Sequence, residues 1–228
     1  MIEMQDVFKK YPNGITASNG LNISIKQGEF IYVVGPSGAG KSTFIKMMYR
    51  EERPDSGKII VNGVDLAKLK NKNVPYLRRH IGVVFQDFKL LQTMTVFENI
   101  AFGLEVIEQR PKEIKKRVME VLALVGLKHK VRMLPTELSG GEQQRVSIAR
   151  SIVNNPKLVI ADEPTGNLDP ETSWEIMSLL EEINMKGTTI IMATHNKEIV
   201  NTIKHRVVAI ENGRIVRDEQ RGEYGYEA

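Results

Sequence analysis

Gly35, Pro36, Ser37, Gly38, Ala39, Gly40, Lys41 and Ser42 combine glycines, an ammonium and a hydroxyl at the spacing G-x-x-x-x-G-K-[ST]. This is the phosphate-binding P-loop pattern, and its context is right: an apolar stretch, Phe30–Val34, precedes it and a helix is expected from about Lys41. Glycines let successive backbone N–H groups turn inward toward phosphate oxygens. The helix N-terminus adds the positive end of a dipole. Lys41 would sit on the outer phosphates and the Ser42 hydroxyl would join the coordination of Mg²⁺. A lysine next to a helix N-terminus is unfavourable without an anion, which argues against a glycine-rich turn that binds nothing.

A second group of chemistry-bearing residues ends the apolar run Leu158–Ala161: Asp162 and Glu163. A carboxylate at the C-terminal end of a buried strand lies at the edge where ligands of parallel sheets bind. There Asp162 would hold Mg²⁺, directly or through water. Glu163 would orient or deprotonate a water attacking a terminal phosphate. By itself an Asp-Glu pair at a strand end is an ordinary surface feature; the P-loop in the same chain gives it meaning.

The elements that must carry these groups alternate between strand and helix. Leu21, Ile23 and Ile25 alternate with polar residues, Lys58–Val61 and Ile81–Phe85 read as strands, and Thr188–Ala193 is another. Asp169 and Pro170 fit the cap and first position of a helix whose buried stripe is Ile176, Leu179, Leu180 and Ile183, stopped by Gly187. Val207–Ile210 and Ile215–Val216 flank Asn212-Gly213, a hairpin signal. Between about Asp87 and Val153 the pattern is helical. Thr95-Val96-Phe97-Glu98 reads as a capping box, and Ile114, Val118, Val121, Leu122 and Val125 recur at helical spacing before Gly126. The alternation implies an α/β fold with a mainly parallel sheet, and the helical stretch reads as an insertion. The charged tail from Arg217 is expected to be loose.

Composition narrows the classes. The chain has 228 residues, 41% hydrophobic and 26% charged, the values of a globular protein of one large domain or one domain with an inserted lobe. It has no cysteine, which excludes a disulfide scaffold, a thiol nucleophile and an iron–sulfur cluster. No apolar run approaches a membrane span and the N-terminus does not read as a signal peptide, so the chain is expected to stay where it is made and to need a partner for any work at a membrane. The net charge of +4, from 32 basic and 28 acidic residues, is mild and not the concentrated patch of a nucleic-acid reader. The methionines, Met47-Met48 among them, are expected to fill core, and Lys70–Lys72 and Lys115-Lys116-Arg117 to be solvated faces.

A P-loop leaves kinases, GTPases and motors open. Leu138-Ser139-Gly140-Gly141-Glu142-Gln143-Gln144-Arg145 narrows the choice, because it resembles the signature motif of ABC ATPases. Read from its residues, Ser139-Gly140-Gly141-Glu142 is also a capping box, and a plain cap has no evident use for two adjacent glycines. Other family positions follow in order: Tyr11 where the family stacks an aromatic on adenine, Gln86 as the Q-loop glutamine, Asn167-Leu168-Asp169 as the D-loop and His195 as the switch histidine. Taken singly, Tyr11, Gln86 and His195 are compatible with ordinary surface or strand-end roles. Ala161 is a departure, small where bulkier residues are common, and is not expected to affect the chemistry.

The resemblance covers essentially the whole chain. It implies an ABC cassette: a P-loop ATPase core at 1–86 and 154–228 with an N-terminal antiparallel β subdomain, and an inserted helical signature subdomain at 87–153. It implies ATP and ADP as ligands with Mg²⁺ held by Ser42, Gln86 and Asp162. Gly35 to Thr43 would cradle the nucleotide, with Lys41, Gln86, Glu163 and His195 in the hydrolytic machinery. Ser139, Gly140 and Gly141 would come from a second copy in a head-to-tail dimer. Tyr49–Pro54 and Val84–Phe88 further resemble the cell-division branch of the family. That branch implies an integral membrane partner resembling FtsX, a place at the cytoplasmic face of the plasma membrane, and an indirect link to a cell-wall hydrolase. The alternatives are the ATPases of lipoprotein-release or macrolide-type exporters, and a nucleotide-gated scaffold in which occupancy matters more than turnover. A nucleic-acid-associated ABC protein would have two cassettes or a long coiled-coil insertion, and neither is evident.

Overall fold

The computed structural model describes residues 1–225. In chain order the elements are β1 (Ile2–Lys10), β2 (Thr16–Ile25), β3 (Phe30–Val34), α1 (Lys41–Met48), β4 (Ser56–Val61), β5 (Val64–Asp65), α2 (Val74–Arg78), β6 (Ile81–Phe85), α3 (Val96–Glu105), α4 (Pro111–Leu124), α5 (Gly140–Ile152), β7 (Leu158–Asp162), α6 (Pro170–Met185), β8 (Thr189–Ala193), α7 (Lys197–Thr202), β9 (Arg206–Glu211) and β10 (Arg214–Glu219). They build two sheets. A four-stranded antiparallel sheet has the order β2-β1-β4-β5, and a six-stranded sheet has the order β10-β9-β3-β8-β7-β6. The central strands β9, β3, β8, β7 and β6 are parallel, and β10 closes the edge antiparallel to β9.

Strand periodicity explains how the large sheet lies between two cores. In β3, Phe30, Tyr32 and Val34 face the helices α3 to α6, whereas Ile31 and Val33 face α1 and the antiparallel sheet. The same split separates Val159 and Ala161 from Leu158 and Ile160, and Ile190 and Met192 from Ile191. Both faces are covered, so these strands are apolar throughout rather than alternating. Met47 and Met48 are fully buried in the second core, as expected, and Met185 is exposed.

The helix starts carry the expected chemistry. Thr95 accepts from the Glu98 N–H and Glu98 accepts from the Thr95 N–H, a complete capping box on α3. Asp169 caps α6 by accepting from the Thr172 N–H at 2.9 Å, with Pro170 in the first position. Such a cap is worth about 1 kcal/mol.

Two expectations need correction. As far as Gly225 the segment from Arg217 is not loose: Arg217 to Glu219 complete β10, Gly222 is buried and Tyr224 packs on the core, while the end of that tail, 226–228, lies outside the described residues. Hydrogen-bond donors placed by tertiary packing hold it, a signal that composition does not carry. Arg117 is not part of a solvated face either. Its guanidinium donates to the carbonyls of Val153 at 3.0 Å and Ile152 at 3.3 Å, satisfying acceptors at the end of α5. The neighbouring Lys115 and Lys116 are exposed as expected.

Candidate functional site

Strand register places the chemistry. Val33 pairs with Ala193, Ala193 with Asp162, and Asp162 with Phe85. The parallel strands β3, β8, β7 and β6 therefore end on one edge. The loop 35–40, His195, Asp162 with Glu163, and Gln86 emerge there side by side, at the edge where parallel sheets bind ligands.

The loop 35–40 is shaped by close backbone contact. Gly40, at φ 106°, is the N-cap of α1, and a Cβ there would overlap the Ala17 carbonyl oxygen. Lys41 is buried, and its ammonium donates to the carbonyls of Gly35 at 2.8 Å and Pro36 at 2.9 Å, across the mouth of the loop. Burial lowers its pKa, while Glu163 and Asp162 act in the opposite direction. Ser42 is exposed and Thr43 buried. The Tyr11 hydroxyl lies 3.1 Å from Thr43 Oγ1, and Lys9 Nζ stands 5.3 Å from the Tyr11 ring centroid, so the aromatic expected near the nucleotide flanks the first turn of α1.

Burial raises the pKa of Asp162, opposed by Lys41, Lys46 and His195. Glu163 adopts φ 50°, a left-handed conformation unusual for a non-glycine residue, and its N–H donates to the Ala193 carbonyl at 3.0 Å. The turn aims its carboxylate at His195, whose Nε2 lies 2.8 Å from Glu163 Oε1. Across the same edge Gln86 Nε2 donates to Asn167 Oδ1 at 3.3 Å, and Asn167 Nδ2 donates to the Gln86 carbonyl at 3.2 Å. The donor set of Ser42, Gln86 and Asp162 is all oxygen, a hydroxyl, an amide and one carboxylate. That suits a hard cation such as Mg²⁺, which takes few carboxylates and shares its shell with phosphate.

Ser139 caps α5 in a complete box with Glu142. Ser139 and Gly140 are exposed, and their end of α5 lies against Phe88, Leu168 and Thr172 rather than the loop 35–40 of the same chain. One argument from sequence fails here. A Cβ on Gly141 would overlap Thr172 Cγ2, so this glycine has a packing reason that owes nothing to phosphate. A Cβ on Gly140 would meet only ordinary contacts at 3.7 and 3.9 Å.

Arg150 escaped the sequence reading. It donates to the carbonyls of Lys89 at 2.7 Å and Phe88 at 2.9 Å, two consecutive left-handed residues just past Gln86. The far end of α5 thus grips the segment that follows Gln86. An arginine about three turns into an amphipathic helix carries no local mark of this, and only the fold reveals it.

Residues 18–166 match the family model described as ABC transporter. The chain belongs to the ABC transporter family. It is an ATPase cassette of that family. It is 71% identical over 225 residues to the cell division ATP-binding protein FtsE of Bacillus subtilis (strain 168), covering 99% of each chain. It is 67% identical to FtsE of Streptococcus pneumoniae serotype 2 (strain D39 / NCTC 7466), covering 100% of this chain and 99% of the relative. Among solved structures, the ATP-binding cassette MJ0796, in a dimeric post-hydrolysis state bound to ADP and Pi, superposes with a TM-score of 0.87 at 34% identity. That match covers 98% of this chain and 100% of MJ0796. The ABC cassette fold expected from the motifs, with its antiparallel N-terminal sheet and parallel core sheet, is the fold observed.

Proposed function

We propose that this ABC cassette is the ATP-hydrolysing subunit of a membrane-associated cell-division complex. The observation that carries the reading is the full-length 71% identity to a protein named for cell division, in a chain that keeps the ATPase constellation on one sheet edge. No helix among the described residues is long and apolar enough to cross a membrane, so attachment falls to an integral partner of the FtsX kind. The stroke would pass through that partner to a cell-wall hydrolase outside.

In this reading Gly35 to Thr43 cradle the triphosphate, Tyr11 stacks on the base, and Lys41 leaves its loop carbonyls for the outer phosphates. Ser42, Asp162 and Gln86 hold Mg²⁺, which when bound neutralises phosphate charge. Glu163 positions and deprotonates the attacking water. His195 orients Glu163 and contacts the terminal phosphate. Two copies close head to tail, and Ser139, Gly140 and Gly141 of each bring the N-terminus of α5 to the other's phosphate. Closure is a population shift driven by ATP binding the closed pair better than the open one, and hydrolysis reverses it. Residues 87–153 act as the lobe that meets the partner, with 1–86 and 154–228 as the catalytic core.

Co-purification from native membranes tests the cellular role. The expected companion is an integral protein with a large extracytoplasmic domain. Recovery of a lipoprotein-release or macrolide-export permease instead would overturn the cell-division reading and leave the ATPase intact. Ser139→Arg tests the dimer: it should leave ATP binding by the monomer unchanged and abolish the ATP-dependent pair in light scattering.

A further inference from the structure

His195 reaches the site on a thin support. It stands between the end of β8 and α7, and α7 has only six residues. So short a helix does not persist on its own propensity and needs tertiary contacts. Its first turn is tied directly to the His195 segment, because the Asn196 side chain accepts from the Ile199 N–H at 3.0 Å while the Asn196 N–H donates to Thr194 Oγ1 at 3.0 Å. A shift of α7 therefore moves residue 195.

Ile199 and Val200 bury one side of α7 in the core between sheet and helices, and the C-terminal segment adds contacts at both its ends. The Tyr224 N–H donates to Asn201 Oδ1 at 2.7 Å, and Lys197 Nζ stands 5.5 Å from the Tyr224 ring centroid. The two contacts grip opposite ends of the helix. The Tyr224 ring also packs on the core cluster between sheet and helices. The strap is itself pinned: Glu223 pairs with Lys204 at 2.8 Å, and Arg217 of β10 donates to the carbonyl of Gly225 at 2.6 Å and to that of Glu223.

We infer that Tyr224 is a positioning residue for the ATPase reaction, clamping α7 so that His195 is held against Glu163. The inference rests on the reading of His195 given above, and goes beyond it by assigning the C-terminal strap a part in turnover. It also leaves turnover open to control by anything that lifts the strap.

Steady-state ATPase of the full chain, with amide hydrogen exchange, tests this. Tyr224→Ala should lower kcat by about tenfold or more while leaving the KM for ATP within about twofold, since a misplaced catalytic group costs turnover rather than binding. Tyr224→Phe keeps the ring and the backbone bond and should restore kcat. In a His195→Ala background Tyr224→Ala should cost nothing further. Amides of 197–201 should exchange faster in Tyr224→Ala while those of β8 stay protected, which separates local release from global unfolding. Lys197→Met, a milder cut at the same clamp, should show a smaller loss in the same direction. Wild-type kcat and unchanged exchange in Tyr224→Ala would overturn the inference, as would losses that multiply in the double variant. Wild-type turnover in His195→Ala alone would instead remove the reading of His195, a failure distinguishable from that of the strap.

Discussion

The imidazole Nε2 of His195 lies 2.8 Å from the carboxylate Oε1 of Glu163, two side chains from the ends of adjacent strands. A carboxylate oxygen only accepts, so the imidazole hydrogen on Nε2 points to Glu163. The left-handed turn at Glu163 makes the meeting possible. Glu163→Gln should bind ATP and form the ATP-dependent dimer, yet hydrolyse about 10²–10⁴-fold more slowly through loss of the base. Single-turnover kinetics check this, and undiminished turnover would place the catalytic carboxylate elsewhere.

Lys41 is the buried cation nearest the loop carbonyls, and its ammonium is the group expected on the outer phosphates. Wild-type protein in ATP at 100 times its Kd should gain about 2.7 kcal/mol of stability by linkage. In Lys41→Ala that ATP-dependent gain should nearly vanish, whatever the substitution does to the free protein. Thermal unfolding with and without nucleotide reads the difference; an undiminished gain would refute the cradle assignment.

The glycines at the start of α5 should separate by role. Gly141→Ala must push Cβ into Thr172 Cγ2, and overpacking of this kind costs about 1–3 kcal/mol. Thr172→Ser removes that methyl while keeping the hydroxyl bonded to Asp169, so it should recover most of the loss. Gly140→Ala should leave stability unchanged or raised, and should weaken the ATP-dependent dimer if a phosphate approaches there. Denaturant melts of the four proteins decide the first two points, and light scattering with ATP decides the third.

His205 gives a pH signature. Its ring stacks on Phe30 at 4.3 Å, lies 5.7 Å from the Tyr32 ring, and is 3.1 Å from Glu181 Oε1. Burial lowers its pKa from the usual 6.5, outweighing the Glu181 contact. The unfolded chain therefore takes up the proton first as pH falls. This contribution to stability is intact above about pH 7 and is lost as pH drops through the ordinary histidine range toward the lower folded value. His205→Phe should flatten the stability–pH curve between about pH 7 and 5, by less than about 1.4 kcal/mol per pH unit. An identical slope in both proteins would show that the folded fold does not resist protonation at this site.

Sequence alone fixed the local elements, because their causes are local. Alternation at Leu21, Ile23 and Ile25, the boxes at Thr95 and Ser139, the Asp169-Pro170 start and the Asn212-Gly213 turn each act within a few residues, and each formed as expected. The phosphate loop and the order of motifs along the chain were equally evident, since spacing is a property of the chain. The rest depends on contacts between residues far apart in the chain. Nothing near Gly141 announces Thr172, nothing near Arg150 announces Phe88 and Lys89, and a charged tail gives no sign that Asn201 and Lys197 will receive Tyr224. Those pairings arise only when strand register and helix packing have set the distances, and the same register brings the loop 35–40, Gln86, Asp162, Glu163 and His195 from separate motifs to one sheet edge.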